Sequence, residues 1–468
     1  MGEVYSGARA KLLRFMLSAA GIATAASLSA QQIPTDPISR QQPGAGAQVH
    51  TGTSVGNDED ARAQGLLMDH QYFRMEQELD KLTPEQAQLY RGILANRNNN
   101  LKQSIHLLEP LADQLVTSGD AVHEKLLRKA LAEDYLRLGD WDKAAKAYQT
   151  FATRMQGKLS ADEQDEIELP LKLLPLAVAN PPMTVDASDP FVLQVSKNPL
   201  GLTDLPVFVD ARPHSWMLDP TSPFNLISRT LAREAGLKVS EDAVTIHTLT
   251  GKPMQVRVAV IPRFTIGGRL TLRNMTAFVF EDADYQFKNS HYQVQGVLGY
   301  PALMALGSLT ITADSTIEVR PDKQITPEAN KSPATDGARF FLDGDQVIVA
   351  LGASGNERMF AVDAGGQQTY LTSRYLEEHS CDFAGQKMQL FTIPGAQNIP
   401  PQPAYQAETI PLQVGSTVIN LHYVQVFGQP LGWVALDDIY GVLGTDALDQ
   451  LRSYTFDYRT MRFSVVPE

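Results

Sequence analysis

The chain has 468 residues, of which 43% are hydrophobic, and its net charge is −13 at neutral pH. At roughly 150 residues per domain, this length predicts about three domains. The acidic balance, without any cluster of Lys and Arg, argues against binding to nucleic-acid phosphates. The single cysteine, Cys381, excludes an intramolecular disulfide.

The N-terminal residues 1–30 have the outline of a secretory signal peptide. Three basic residues, Arg9, Lys11 and Arg14, precede an apolar run over 15–26, and small residues follow it. The sequence therefore predicts export to the periplasm or the extracellular space. A disordered or membrane-anchored N-terminus is the alternative. No later stretch reaches 18 apolar residues, so no transmembrane segment is expected.

Residues 31–62 are rich in Gln, Gly, Pro, Ser and Asp and contain few large apolar side chains. Such a composition buries too little surface to offset the entropy of ordering, so a disordered linker is expected. From 63 to 175 the apolar residues recur with helical spacing. This pattern predicts an α-helical N-terminal module.

Part of this module resembles a tetratricopeptide helical hairpin. The resemblance rests on small and aromatic residues at the spacing of that repeat, which are Tyr135, Gly139, Trp141, Ala144 and Tyr148. The stretch from Gly92 to Leu111 is a second, weaker copy in this interpretation. An ordinary helical hairpin without repeat ancestry is the alternative. Because of its prolines, the run 169–176 and Asn180-Pro-Pro182 is expected to break helices and end the module.

Short β-branched segments separated by Gly, Pro or Asp turns follow in two successive units, which predicts all-β domains. The first unit is expected over 190–322 and the second over 338–468, with a boundary at 322–337 that contains two prolines. Strands are predicted at 192–195, 205–209, 256–261, 277–280 and 309–312, and then at 347–349, 359–362, 410–414, 418–421, 454–458 and 463–466.

The two β units carry the same motif. Met217-Leu-Asp219 and Ala361-Val-Asp363 each run from an apolar strand into an aspartate and a turn, and Gly296-Val-Leu-Gly299 returns as Gly441-Val-Leu-Gly444. The spacing from the aspartate to the first glycine is 77 residues in one unit and 78 in the other. The C-terminal two thirds therefore consists of a duplicated unit with one aspartate in each copy.

These motifs resemble two retropepsin-type lobes of an aspartic protease fused in one chain, over about 60% of its length. The resemblance implies a bilobal all-β acid-protease fold in which Asp219 and Asp363 are the catalytic pair. Two close carboxylates share one proton, so one would act as base on a water while the other acts as acid. No metal and no other cofactor is implied. Thr250 and Gly251 occupy the position of the family's flap, and an extended peptide would lie in the cleft between the lobes.

The residues after each aspartate depart from the family's Asp-Thr-Gly turn. The predicted active-site turns consist of Pro220, Thr221 and Ser222 in the first lobe and of Ala364, Gly365 and Gly366 in the second. Because Pro220 and Ala364 replace the family's Thr, the hydroxyls that would hydrogen-bond across the lobe interface are missing. Thr221 adds a Cβ where the family has Gly, whereas Gly365 keeps that glycine.

The sequence accordingly predicts an exported aspartic endopeptidase that hydrolyses peptide bonds in an inter-lobe cleft, with a protein partner or the substrate at the helical module. The altered turns keep a second hypothesis open, which is a catalytically impaired protein that binds peptides or acts as a scaffold. A third holds that the helical module is the functional part and that the β lobes stabilise it. Motifs for serine-hydrolase, zinc-peptidase and phosphate-loop chemistry are absent from the sequence.

Overall fold

The computed structural model describes residues 55–178, 180–186, 189–247, 253–287, 291–321, 337–344, 346–353, 356–366, 368–392, 400–431 and 438–467. The predicted signal peptide, most of the predicted linker and most of the predicted boundary between the lobes lie outside these residues. Within them, no helix is both long enough and apolar enough to cross a membrane.

Helices make up the N-terminal part and recur singly in the β units. The α-helices are α1 (Val55–Met68), α2 (Tyr72–Glu78), α3 (Pro84–Arg97), α4 (Leu101–Leu108), α5 (Ala112–Ser118), α6 (Ala121–Leu138), α7 (Trp141–Arg154), α8 (Ala161–Val178), α9 (Arg229–Glu234), α10 (Tyr300–Leu303), α11 (Ser373–His379) and α12 (Thr445–Leu448). Single 3-10 turns lie at Leu79–Lys81, Glu109–Leu111, Asp282–Tyr285, Met304–Leu306 and Ser380–Phe383. Helices α1 to α8 form the predicted module and are called the helical module below.

The segment 138–148 forms the predicted helical hairpin. Helix α6 ends at Gly139, whose φ of +71° gives the left-handed C-cap that glycine adopts without a steric penalty. Helix α7 begins directly afterwards, because the Asp140 side chain accepts a hydrogen bond from the Lys143 backbone N–H. Three of the predicted contact positions are buried in the module, namely Tyr135, Ala144 and Tyr148. The hairpin is confirmed, and its tetratricopeptide ancestry stays a prediction.

Two sequence expectations differ from the structure at the ends of the module. Helix α1 begins at Val55, so 55–62 is helical although its composition is that of a linker, and Ala63 and Leu67 of the same helix are buried. The expected helix break at Pro170 and Pro175 is wrong, because both prolines lie inside α8. Each interior proline costs about 3 kcal/mol. Burial of Leu169 and Leu174 in the apolar clusters of the fold offsets this cost.

Strands dominate the two β units, as predicted. They are β1 (Thr184–Asp186), β2 (Phe191–Gln194), β3 (Ser196–Lys197), β4 (Thr203–Val209), β5 (Arg212–Leu218), β6 (Leu226–Ser228), β7 (Val244–His247), β8 (Pro253–Ile266), β9 (Leu270–Phe280), β10 (Gln286–Phe287), β11 (Tyr292–Gln293), β12 (Gly296–Leu298), β13 (Ser308–Thr312), β14 (Thr316–Arg320), β15 (Ala338–Asp343), β16 (Gln346–Leu351), β17 (Arg358–Val362), β18 (Tyr370–Leu371), β19 (Gln389–Phe391), β20 (Gln402–Val414), β21 (Thr417–Phe427), β22 (Gly441–Leu443), β23 (Leu451–Asp457) and β24 (Arg462–Pro467). The units β1 to β14 and β15 to β24 are called lobe 1 and lobe 2.

The two lobes have equivalent strand pairings. In lobe 1, β12 runs parallel to β5 and antiparallel to β6, and β6 runs parallel to β9. In lobe 2, β22 runs parallel to β17 and antiparallel to β18, and β18 runs parallel to β21. Because equivalent strands pair in the same order and direction, the duplication seen in the sequence is also a duplication of topology.

One continuous sheet joins the lobes. Strand β13 of lobe 1 pairs antiparallel with β23 of lobe 2. Each of these strands also forms a hairpin within its own lobe, so the order across the junction is β14, β13, β23 and β24. In this register Thr310 lies opposite Thr455, and their hydroxyl groups are 2.8 Å apart. Both threonines come 14 residues after the first glycine of their closing motif, Gly296 or Gly441. A pseudo-twofold axis therefore passes through this pair, and the lobes pair within one chain.

The glycines that end the closing motifs permit a close approach of backbone segments, and Gly299→Ala tests this. A Cβ at Gly299 would lie 2.2 Å from the Phe224 carbonyl oxygen, which belongs to the backbone and cannot rotate away. We expect this substitution to lower the free energy of unfolding by about 3 kcal/mol. Denaturant unfolding followed by fluorescence measures the change.

Gly65→Ala is the matched control, since Gly65 is an interior residue of α1 with open space around its Cβ position. Helix propensity predicts that this control raises stability by about 0.5–1 kcal/mol. Equal effects of the two substitutions would contradict the close approach at Gly299.

Candidate active site

The two predicted catalytic aspartates follow equivalent strands. Asp219 comes directly after β5, and its backbone N–H donates to the Leu298 carbonyl of the neighbouring strand β12 at 3.1 Å. Asp363 comes directly after β17, and its N–H donates to the Leu443 carbonyl of β22 at 2.8 Å. Each aspartate is therefore held by its backbone at the end of a parallel strand pair. Both side chains are buried, with 1% and 5% of the residue exposed respectively.

In each lobe, a polar side chain that the sequence interpretation missed accepts a hydrogen bond from the last glycine of the closing motif. The Asn225 side-chain oxygen accepts from the Gly299 N–H at 3.1 Å, and the Thr369 hydroxyl accepts from the Gly444 N–H at 2.8 Å. Asp446 in turn accepts from the backbone N–H and the hydroxyl of Thr369, at 2.8 and 2.6 Å. The sequence did contain a signal for these two residues, because Asn225 and Thr369 occupy the same position of the duplicated unit, six residues after their aspartate.

Three donors from the following turn converge on one oxygen of Asp219. Oδ1 accepts from the Thr221 backbone N–H at 3.1 Å, from the Thr221 hydroxyl at 2.8 Å and from the Ser222 N–H at 3.1 Å. Burial raises the pKa of Asp219, and these hydrogen bonds lower it and offset part of that effect. Thr221 was expected to add a Cβ beside the carboxylate, and its hydroxyl also orients that carboxylate.

The turn after Asp363 brings a glycine against the carboxylate. A Cβ at Gly366 would lie 2.4 Å from Asp363 Oδ2, so this carboxylate occupies the space that a larger residue would need. The backbone of the turn otherwise matches lobe 1, because the Gly366 carbonyl accepts from the Thr445 N–H at 2.8 Å and the Ser222 carbonyl accepts from the Tyr300 N–H at 2.9 Å. The Ser222 hydroxyl donates to the Phe224 carbonyl at 2.9 Å. The remaining turn residues, Ala364 and Gly365, are buried.

A tyrosine of lobe 2 connects the lobes at the first turn. The Tyr458 hydroxyl donates to the Pro220 carbonyl at 3.0 Å, one residue after Asp219. Burial and the nearby Asp219 raise the pKa of Tyr458, so the phenol stays protonated and can donate. Its ring packs against Phe340 and Phe456 in the core shared by both lobes. Tyr458 thus supplies a cross-lobe hydrogen bond at the turn where Pro220 stands in place of the threonine of an Asp-Thr-Gly motif.

Tyr458→Phe tests this connection. The substitution keeps the ring but leaves the buried Pro220 carbonyl without this donor, which costs about 1–3 kcal/mol. We expect a lower midpoint in denaturant unfolding and a changed pH profile of any hydrolytic activity, because the turn that carries Asp219 loses its anchor. Tyr440→Phe is the control, since it removes the hydroxyl of another buried tyrosine of lobe 2 that donates to Glu378 and not to Pro220. A pH profile identical to that of the parent protein would argue against a positioning role.

The predicted flap tip, Thr250 and Gly251, lies outside the described residues. The strands on either side of it, β7 and β8, pair antiparallel, with His247 opposite Pro253. Elsewhere in the described part of the chain, no group of three or more His, Cys, Asp or Glu side chains is arranged to hold a metal ion.

Comparisons with known proteins agree with the geometry of lobe 1. A family model described as an aspartyl protease matches residues 205–302, which include Asp219 and the closing motif at Gly299. The match supports an aspartyl protease fold for this segment. No curated protein matches the chain by sequence.

Two solved structures are similar to parts of the chain. Basic 7S globulin from soybean is 10% identical with a TM-score of 0.35, over 60% of this chain and 95% of that one. A retropepsin-like aspartic protease from Rickettsia conorii is 17% identical with a TM-score of 0.21, over 28% of this chain and 99% of that one.

Proposed function

We propose that this protein is an exported aspartic endopeptidase in which Asp219 and Asp363 together activate a water molecule for peptide hydrolysis. The observation that carries the proposal is the symmetric placement of the two aspartates. Each ends a strand, donates its N–H to the parallel neighbour and lies in one half of a duplication whose axis passes through Thr310 and Thr455. Such symmetry would bring two carboxylates together at the lobe interface, as this chemistry requires.

The environment of Asp219 suggests how the two roles divide. Because burial raises its pKa, Asp219 is the natural holder of the shared proton, and Asp363 is then the ionised base. The base removes a proton from the water as it attacks the peptide carbonyl. Asp219 donates a hydrogen bond to the oxyanion that develops. The donors from Thr221 and Ser222 keep its carboxyl group oriented during this exchange.

An assay of peptide cleavage tests the proposal. A peptide library is incubated with the full chain and with an Arg339→Glu variant, which breaks the ion pair between lobe 2 and Glu76 of the helical module, and products are identified by mass spectrometry. We expect internal peptide bonds to be cleaved, with one oxygen of labelled water in each new carboxyl group and with inhibition by a statine-type peptide. Binding of the statine peptide without cleavage by either protein would support the impaired peptide-binding alternative.

Export and partner binding are further parts of the proposal. Cell fractionation of the full-length protein, with the apolar run 15–26 interrupted by charged residues as the control, tests export through the N-terminal segment. Accumulation of both forms in the same compartment would count against it.

A further inference from the structure

In each lobe, the aspartate shares one side of the sheet with a row of apolar side chains on neighbouring strands. In lobe 1, Met217 lies two residues before Asp219, and register pairing places Val297, Leu226 and Phe278 beside it on successive strands. Because side chains alternate along a strand and opposed residues share a face, these four residues and Asp219 form one surface, the Asp219 face. Trp216 and Leu218 point the other way, into the core.

Lobe 2 has an equivalent surface. Ala361 lies two residues before Asp363, and its register neighbours are Ile348 on β16 and Val442 on β22. Phe341 and Tyr370 extend the row on either side. These five residues form the Asp363 face, whereas Val362 points into the core on the opposite side.

A groove that binds an extended peptide beside the aspartates must leave these faces open, yet both are buried. The nine residues of the two faces are each exposed by 6% or less. The Asp219 face belongs to one apolar cluster with Leu169 and Leu173 of α8, and strands β7 and β8 of lobe 1 supply further members of that cluster. The Asp363 face forms one cluster with buried residues of the other helices, among them Tyr72, Leu94, Leu131 and Phe151. The helical module therefore takes part in covering both surfaces on which the proposed substrate would lie.

Specific contacts fix the module on lobe 2. The Tyr72 ring packs on Phe341 with centroids 4.8 Å apart, and the Tyr72 hydroxyl donates to Asp343 at 2.5 Å. Arg97 forms an ion pair with Asp343 at 2.9 Å. Arg339 of lobe 2 binds both carboxylate oxygens of Glu76 at 2.8 and 2.9 Å. These contacts join α2 and α3 to the first strand of lobe 2.

We propose that the helical module is an intramolecular cap, which closes the groove between the lobes and keeps peptide substrates from Asp219 and Asp363 until it is displaced. The substrate groove and the cap use the same apolar surface, so they exclude each other. This inference rests on the proposed function, because it treats the covered groove as the peptide site. It assigns the helical module a regulatory role that the duplicated aspartates alone do not imply.

A thiol placed under the cap reports its opening without requiring catalysis. In a Cys381→Ser background, Ala361→Cys puts a thiol on the Asp363 face, and Val362→Cys puts one in the core behind it. Cys381 itself is exposed and gives the rate of an accessible thiol. Reaction with a soluble maleimide is followed by mass spectrometry, and the Ala361→Cys thiol should react far more slowly than Cys381.

A charge swap then opens and recloses the cap. Arg339→Glu places two carboxylates opposite each other at the Glu76 contact, and Glu76→Arg combined with it restores an ion pair. We expect Arg339→Glu to speed labelling of the Ala361→Cys thiol about tenfold, which corresponds to about 1.4 kcal/mol of lost closure free energy. The combined variant should return the rate toward that of the parent, and labelling of the Val362→Cys thiol should stay slow throughout.

Three results would contradict the proposal that the helical module is a cap. The first is labelling of the Ala361→Cys thiol as fast as Cys381 in the otherwise unchanged chain. The second is slow labelling that stays unchanged even when Arg339→Glu is combined with Leu169→Asp in α8. The third is a parallel rise at Val362→Cys, which would mean that lobe 2 itself loosens. Labelling is independent of hydrolysis, so a cap that opens in a chain without peptidase activity would refute only the proposed function.

Discussion

Asp219→Asn should abolish peptide hydrolysis and, at neutral pH, stabilise the fold. The amide cannot exchange the shared proton, so we expect activity to fall by about a thousandfold. The free energy of unfolding, in contrast, should rise at neutral pH. Because burial raises the pKa of Asp219, the folded chain binds that proton more tightly than the unfolded chain, and stability falls as the pH rises through the raised pKa. The asparagine carries no charge and avoids this loss.

Peptide cleavage is compared between chains that both carry Arg339→Glu, which opens the cap. Denaturant unfolding at neutral and acid pH is compared between chains without that substitution. The gain in stability should be present at neutral pH and should vanish in acid, where Asp219 of the parent protein is protonated. Asp204→Asn is the control for activity, because it removes another buried carboxylate of lobe 1 and should leave hydrolysis nearly unchanged. Hydrolysis retained by both variants would refute the role of Asp219.

Asp343→Asn should cause the largest loss of stability. Its carboxylate accepts hydrogen bonds from the Tyr72 hydroxyl and, at 2.8 Å, from His70 Nδ1, and it forms an ion pair with Arg97 at 2.9 Å. Removing the charge leaves the buried Arg97 guanidinium paired with Glu133 of the helical module at 2.9 Å, but without its ion-pair partner in lobe 2. Breaking a buried ion pair in this way costs about 3–5 kcal/mol. Because this cluster lies between the helical module and lobe 2, the loss should also weaken the attachment of the cap.

The pH dependence of this effect has a definite sign. Burial would raise the pKa of Asp343, but Arg97 and His70 outweigh burial and hold it well below its ordinary value. A lowered pKa stabilises the fold above the ordinary carboxyl pKa of about 4, and the contribution is lost as the pH falls through the lowered value. The difference in unfolding free energy between parent and variant should therefore be constant from neutral pH to about pH 4 and shrink below it.

Asp80→Asn provides the comparison for this prediction. Asp80 is also paired with an arginine, Arg91, at 3.4 Å, but its side chain is 95% exposed. An exposed pair contributes little, so this control should change the free energy of unfolding by less than about 1 kcal/mol. A similar small change for Asp343→Asn would mean that the buried cluster does not hold the module in place.

Local sequence patterns predicted most of the strands and the duplicated turns. Alternating β-branched residues between Gly, Pro and Asp turns favour strands whatever surrounds them, and a duplicated motif requires two similar local structures. The same local patterns wrongly predicted a helix break at Pro170 and Pro175. The cost of proline in a helix is a local effect, whereas the burial of Leu169 and Leu174 that offsets it depends on tertiary packing. The helical start of α1 at Val55 was missed since its composition resembles that of a linker.

By itself, the sequence determined the two-copy architecture and the positions of Asp219 and Asp363, because the spacing of a duplicated motif is preserved along the chain. Tertiary structure alone decided three other features: the pairing of the lobes through Thr310 and Thr455, the hydrogen bond from Tyr458 to Pro220, and the packing of helices in the apolar clusters of both aspartate faces. The physical reason is that each of these contacts joins residues far apart in the chain. Such contacts depend on the packing of whole elements, which local propensity and spacing do not encode.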